Sequence, residues 1–128
     1  MKIAPAVLIP FVAELFHASG SGTVEAKTVA EHLVDADLSG HESHGVARLP
    51  RYLQAVKDGL VVPDAKPACT HDRATIAAVD GMLSYGQVGA HFSTSLGIER
   101  ARTHGIAAVS LTRTGHIGRA GAWAEQAA

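Results

Sequence analysis

Cysteine is almost missing from this chain, with Cys69 alone among 128 residues. One thiol can form neither an intrachain disulfide nor a thiolate-rich metal site, which points to a reducing, cytoplasmic setting. An excess of either charge is missing too. Eleven Lys and Arg stand against 12 Asp and Glu, and the basic residues are scattered rather than striped, so nucleic acid is not an expected partner. Apolar runs are short and none is long enough to span a membrane. Repeats and low-complexity segments are absent as well. The length corresponds to about one domain with a modest core.

The N-terminus has the outline of a secretory leader, Lys2 followed by an apolar run over residues 3–13. Pro5 and Pro10 interrupt that run and Glu14 closes it with a charge. Val7, Leu8, Phe11, Val12, Leu15 and Phe16 repeat as one face of an amphipathic helix, so a packed helix is expected instead. Ser19-Gly20-Ser21-Gly22 then reads as a turn, with Thr23 as N-cap of a second helix that buries Val29, Ala30, Leu33, Val34 and Leu38 and ends at Gly40. A third helix carries Tyr52, Leu53, Val56 and Leu60, with Gly59 near its end. Pro50 belongs in a first helical turn, which places Ser43 and His44 in the entering loop and Arg48 one turn before Tyr52.

Residues 61–73, with Pro63 and Pro67, read as a connector that divides the chain into two compositions, and Cys69 within it as a small packed residue. Residues 74–79 and 106–111 are short apolar runs expected as buried strands. Between them, residues 87–103 have helical spacing at Val88, Phe92 and Leu96, stopped by His104-Gly105. The expected class is therefore α/β: a helical region over 1–62, then a β-α-β unit over 74–128 with a right-handed parallel crossover. A helix is still running at the last residue. Two parallel strands would leave open edges and an uncovered face, so the chain reads as the N-terminal part of a larger, truncated fold.

The chemistry concentrates in Gly40-His41-Glu42-Ser43-His44-Gly45-Val46-Ala47-Arg48-Leu49-Pro50-Arg51-Tyr52. An imidazole titrates near neutral pH, so His44 can take or return a proton, with the Ser43 hydroxyl available to its relay. The planar guanidinium of Arg48 matches a carboxylate with two hydrogen bonds, and Tyr52 can wall the pocket and donate another. Together these suit 2-hydroxy or 2-oxo acids. A blander reading leaves His44 as an exposed or capping loop residue and Arg48 paired with a nearby Asp. His41, His44 and His116 invite a metal reading, but no Cys or paired carboxylate sits at useful spacing, so no metal is expected.

Gly115-His116-Ile117-Gly118-Arg119-Ala120-Gly121 follows the second strand and enters a helix, a place suited to phosphate or nicotinamide groups. It lacks the Gly-x-Gly pair of the Rossmann fingerprint, and the glycines could serve only to end a strand and let a helix pack closely. Arg119 adds a positive charge that a phosphate could use.

The Ser-His-Gly-x-x-Arg-Leu-Pro-x-Tyr string closely resembles the type-2 malate/L-lactate dehydrogenase family. Asp35-Ala36-Asp37-Leu38, Val79-Asp80-Gly81, Gly86-Gln87-Val88-Gly89 and Gly115-His116-Ile117-Gly118 support the resemblance over essentially the whole chain. It implies a non-Rossmann fold with a mixed sheet, flanking helices and a homodimer that completes the active site. It also implies hydride exchange between NAD or NADP and a small 2-hydroxy/2-oxo acid such as malate, lactate, sulfolactate or ureidoglycolate, or reduction of a cyclic imine. The segment His116, Ile117, Gly118, Arg119 and Ala120 would border cofactor and substrate, with His116 an alternative to His44 as base. Ile117 stands where the family commonly has phenylalanine, Trp123 where it has tyrosine, and Arg119 where it often has a small residue. Family members are well over twice as long, so this chain by itself is expected to bind cofactor weakly. A non-catalytic helical binding module derived from the family is the competing expectation.

Overall fold

The computed structural model describes residues 3–128; Met1 and Lys2, the charged start of the leader outline, lie outside the described residues. Three helices come first: α1 (Pro5–Ala18), α2 (Thr23–Leu38) and α3 (Leu49–Lys57). Two short 3-10 turns, Glu42–His44 and Val46–Arg48, link α2 to α3. Then follow β1 (Ala68–Arg73), β2 (Ile76–Asp80), α4 (Gly86–His104), β3 (Ala108–Thr112) and α5 (Gly121–Ala127). No helix among the described residues is long and apolar enough to cross a membrane.

The core lies where α1 packs on α2, with Val12, Phe16, Val29 and Leu33 fully buried. Phe16 meets Tyr52 of α3 and Tyr85 edge-on, with ring centroids 6.2 and 5.4 Å away. Such pairs add directional preference to the roughly 1.5–3 kcal/mol of burying a large apolar side chain. The aromatic cluster thereby fixes the tyrosine that reaches the candidate site. Val7 and Phe11, expected on the packed stripe, are 64% and 58% exposed, so the inner face of α1 is narrower than its spacing suggests.

Helix boundaries follow from their caps. Gly22, not Thr23, is the N-cap of α2, and its N–H donates to the Asp64 carboxylate at 2.9 Å. That carboxylate, 42 residues away, anchors the N-cap residue itself, and Thr23 simply begins the helix. Helix α2 ends at Leu38, and Gly40 follows with φ +75°. Leu38 is exposed, as is Leu60, which lies beyond the end of α3 at Lys57. Pro50 sits in the first turn of α3, where its missing N–H costs nothing.

The sheet contains the expected parallel β-α-β pair, less buried than expected, and adds a third strand. It is mixed and three-stranded, in the order β1-β2-β3, with β1 antiparallel and β3 parallel to β2. Strand β1 lies inside the stretch read as a connector. All six of its residues are exposed, so it carries no alternation of apolar side chains; backbone pairing with β2 defines it. Cys69 is accordingly exposed at a register shift rather than packed. Strand β2 buries Ala77 and Val79 but exposes Ile76, and β3 alternates between exposed and half-buried positions. Helix α4 covers the inner face with small and polar residues: Gln87, Gly89, Ala90 and Ser93 are buried, whereas Phe92 is not.

Candidate active site

Two segments distant in sequence bring their imidazoles together. The rings of His44 and His116 lie 5.4 Å apart, nearly parallel at 28°. His44 ends the first 3-10 turn, and its Nδ1 is 3.0 Å from the Ser43 hydroxyl. The turn is braced from α2, because the Asp37 carboxylate accepts the Val46 N–H at 3.0 Å. A Cβ at Gly45 would collide with that carboxylate, so this close approach requires glycine. Arg48 donates from Nε to the Ser43 carbonyl at 2.6 Å, which ties the guanidinium to the same turn.

His116 is held mainly by long-range contacts. Its Nδ1 accepts the Gly118 N–H at 3.1 Å, so the neutral ring carries its proton on Nε2. The Tyr52 hydroxyl lies 3.1 Å from both Nδ1 and the His116 carbonyl, to which it donates. Gln87 Nε2 donates to that hydroxyl at 2.7 Å. A phenol has one proton, and here it serves His116; Tyr52 faces the pocket with its ring. Partial burial pushes the His116 imidazole below the usual histidine range, and nearby Arg48 and His44 add to the shift. Burial raises the Tyr52 phenol in turn. The loop itself lies against the start of α4, where a Cβ on Gly86 would strike the His116 backbone.

Arg48, Arg51, Tyr52, Tyr85, Gly86 and His116 are among the residues lining one cavity of about 420 Å³. That volume suits a small organic acid, and two guanidinium groups make it anion-seeking. Among the described residues no group of three or more His, Cys, Asp and Glu gathers to hold a metal ion, and His41 instead turns its Nδ1 to the Ser39 carbonyl.

Arg119 has acidic partners within the fold. Its guanidinium, 9% exposed, donates to Asp35 at 2.9 Å and to both oxygens of Glu125 at 2.7 Å. These carboxylates raise its pKa further, and Arg119 draws that of Glu125 down. Two carboxylates thus engage its terminal nitrogens, and Nε alone is without a partner among the described residues. Ile117 and Ala120 flank the same turn, and the Ile117 carbonyl accepts the Trp123 indole N–H at 3.1 Å. Gln87, the buried donor behind Tyr52, carried no signal of its own within Gly86-Gln87-Val88-Gly89; a polar residue on the inner face of a helix was the available clue.

A mixed sheet flanked by helices, with His116 and two arginines lining a small cavity and His44 stacked behind His116, defines the class as an α/β protein with a basic pocket between its helices and its sheet-end loop. The chain belongs to the malate/L-lactate dehydrogenase family, which matches residues 3–128. It is 42% identical over 118 residues to hydroxycarboxylate dehydrogenase B of Escherichia coli K12, covering 92% of this chain and 33% of that protein. It is 35% identical over 128 residues to malate dehydrogenase of Pyrococcus abyssi, covering 100% of this chain and 35% of the relative. The solved malate dehydrogenase of Pyrococcus horikoshii superposes with a TM-score of 0.95 at 35% identity, over 100% of this chain and 37% of that one. The chain thus spans about a third of the length of the relatives it matches.

Proposed function

We propose that this chain is part of an oxidoreductase that exchanges a hydride between a nicotinamide cofactor, NAD or NADP, and a small 2-hydroxy/2-oxo acid. The observation that carries the reading is that Arg48 and His116, from two distant segments, line one small cavity, with the His44 ring stacked 5.4 Å from that of His116. Arg48 clamps the acid carboxylate, its own stem held by the Ser43 carbonyl. Neutral His116 offers a donor at Nε2 to an oxygen of the acid, since its Nδ1 is already occupied by Gly118. Proton transfer then falls to His44, with Ser43 on its Nδ1 as relay. Tyr52 shapes the wall.

A nicotinamide, when bound, supplies the hydride acceptor that oxidation of the acid needs. The residues present fit such a group in part. The glycine-bearing turn of His116, Ile117, Gly118 and Ala120 would border it through the backbone, whereas the terminal nitrogens of Arg119 are engaged by Glu125 and Asp35. We read residues 74–128 as the start of the cofactor-binding domain and residues 1–62 as a helical region that delivers the acid-binding groups. The protein would work as a homodimer in the cytoplasm.

The test is oxidation of malate, lactate and sulfolactate with NAD and with NADP by the full-length protein and its Arg48→Ala variant. Truncating one partner of a charge pair costs about 2–5 kcal/mol, so kcat/KM should fall by roughly thirtyfold or more. Unchanged kcat/KM in the variant, or no turnover of any 2-hydroxy acid by the unsubstituted protein, would rule the reading out.

A further inference from the structure

Gln87 is fully buried near the start of α4, yet among the described residues its Oε1 has no partner. A buried carbonyl oxygen left unpaired costs stability, so an amide here needs a compensating role. Its other end supplies one. Nε2 donates to the Tyr52 hydroxyl at 2.7 Å, and a Cβ on Gly118 would come within 3.1 Å of the same nitrogen. One amide therefore hydrogen-bonds the phenol beside Nδ1 and lies close to Gly118, whose N–H points at Nδ1.

We propose that Gln87 is a positioning residue for this site, its buried amide holding the Tyr52 hydroxyl beside Nδ1 so that His116 presents its Nε2–H to the bound acid. The inference rests on the dehydrogenase reading for the role of His116, but not for the geometry. With the Gln87 N–H on the phenol oxygen, the Tyr52 proton is directed to His116. With Gly118 on Nδ1, the other tautomer would face two protons toward each other. Removing the amide frees the phenol to rotate away from Nδ1, so the ring samples both tautomers.

Ring-nitrogen NMR of the full-length, histidine-labelled protein tests this without relying on turnover. The unsubstituted protein should show His116 with a proton-free Nδ1 and a protonated Nε2. Gln87→Met preserves length and volume but cannot donate, and should move both nitrogen signals toward averaged positions. Gln87→Glu, ionised, should do the same, because it accepts where Gln87 donates. Tyr52→Phe keeps the core ring and loses the hydroxyl, and should reproduce the effect if the Gln87 variants fail to fold. In turnover, Gln87→Met should lower kcat by about fivefold, the weight of one hydrogen bond, with KM for the acid changed less than kcat. Unaltered His116 signals in folded Gln87→Met, or in Tyr52→Phe should the Gln87 variants not fold, would overturn the proposal. Altered signals in a protein that oxidises no 2-hydroxy acid would uphold the positioning role and count against the dehydrogenase reading alone.

Discussion

The turn that carries His44 and the loop that carries His116 deliver similar rings to one place by opposite means. The first is built largely from its own neighbourhood: Ser43 on the ring, Arg48 on the Ser43 carbonyl and Asp37 on the Val46 N–H, all within about ten residues. The second depends on residues 29 to 84 positions away, through Tyr52, Gln87, Gly86 and the Asp35 partner of Arg119. A locally built turn tolerates shifts elsewhere in the molecule. A loop held by distant elements inherits the state of the whole core, because Tyr52 is itself set by Phe16 and Tyr85.

Breaking each side separately sharpens this contrast. The largest effect should come from His44→Ala, which removes the proposed proton-transfer group. A fall in kcat of about 10²–10⁴-fold is expected in the full-length enzyme, with the melting temperature little changed. Gly86→Ala attacks the other side through packing, since the added methyl meets the His116 backbone. Overpacking of this kind costs about 1–3 kcal/mol, so denaturant unfolding should show a loss of stability that His44→Ala does not.

Acid should also act on the His116 side. Burial lowers the pKa of both His116 and His32 in the folded protein, so the unfolded chain binds protons that the folded chain refuses. Their stabilising contribution is complete above about pH 6.5 and is lost as pH falls through the lower folded values. Glu25, raised by burial, has the opposite sign at lower pH. Unfolding free energies at pH 7.5 and 5.5 should therefore differ less in His116→Asn than in the unsubstituted protein. The smallest effect is expected for Ser43→Ala, an exposed hydroxyl on the His44 ring. Its loss should lower kcat by less than about tenfold, within the range of one hydrogen bond.

The same division decides what could be read from the residues alone. The order of helices, the β-α-β unit and the cluster of Ser43, His44, Arg48 and Tyr52 lie in short, patterned segments, and the family resemblance reinforced them. Strand β1 escaped notice because its identity lies in backbone pairing along an exposed edge. The Thr23 cap was misplaced by one residue, because Gly22, anchored by Asp64 from far along the chain, takes the N-cap position. Arg119 looked free because neither Asp35 nor Glu125 announces itself as its partner. Tyr52 looked like a substrate donor because the carbonyl that takes its proton, that of His116, is 64 positions away.

Asp35 and Asp37 occupy the final turn of α2, where the helix dipole disfavours acidic side chains. One reaches Arg119 beside His116 and the other the backbone beside His44. Both histidine segments therefore hang from a common bracket. A shift of α2 on α1 would therefore be felt at both rings at once.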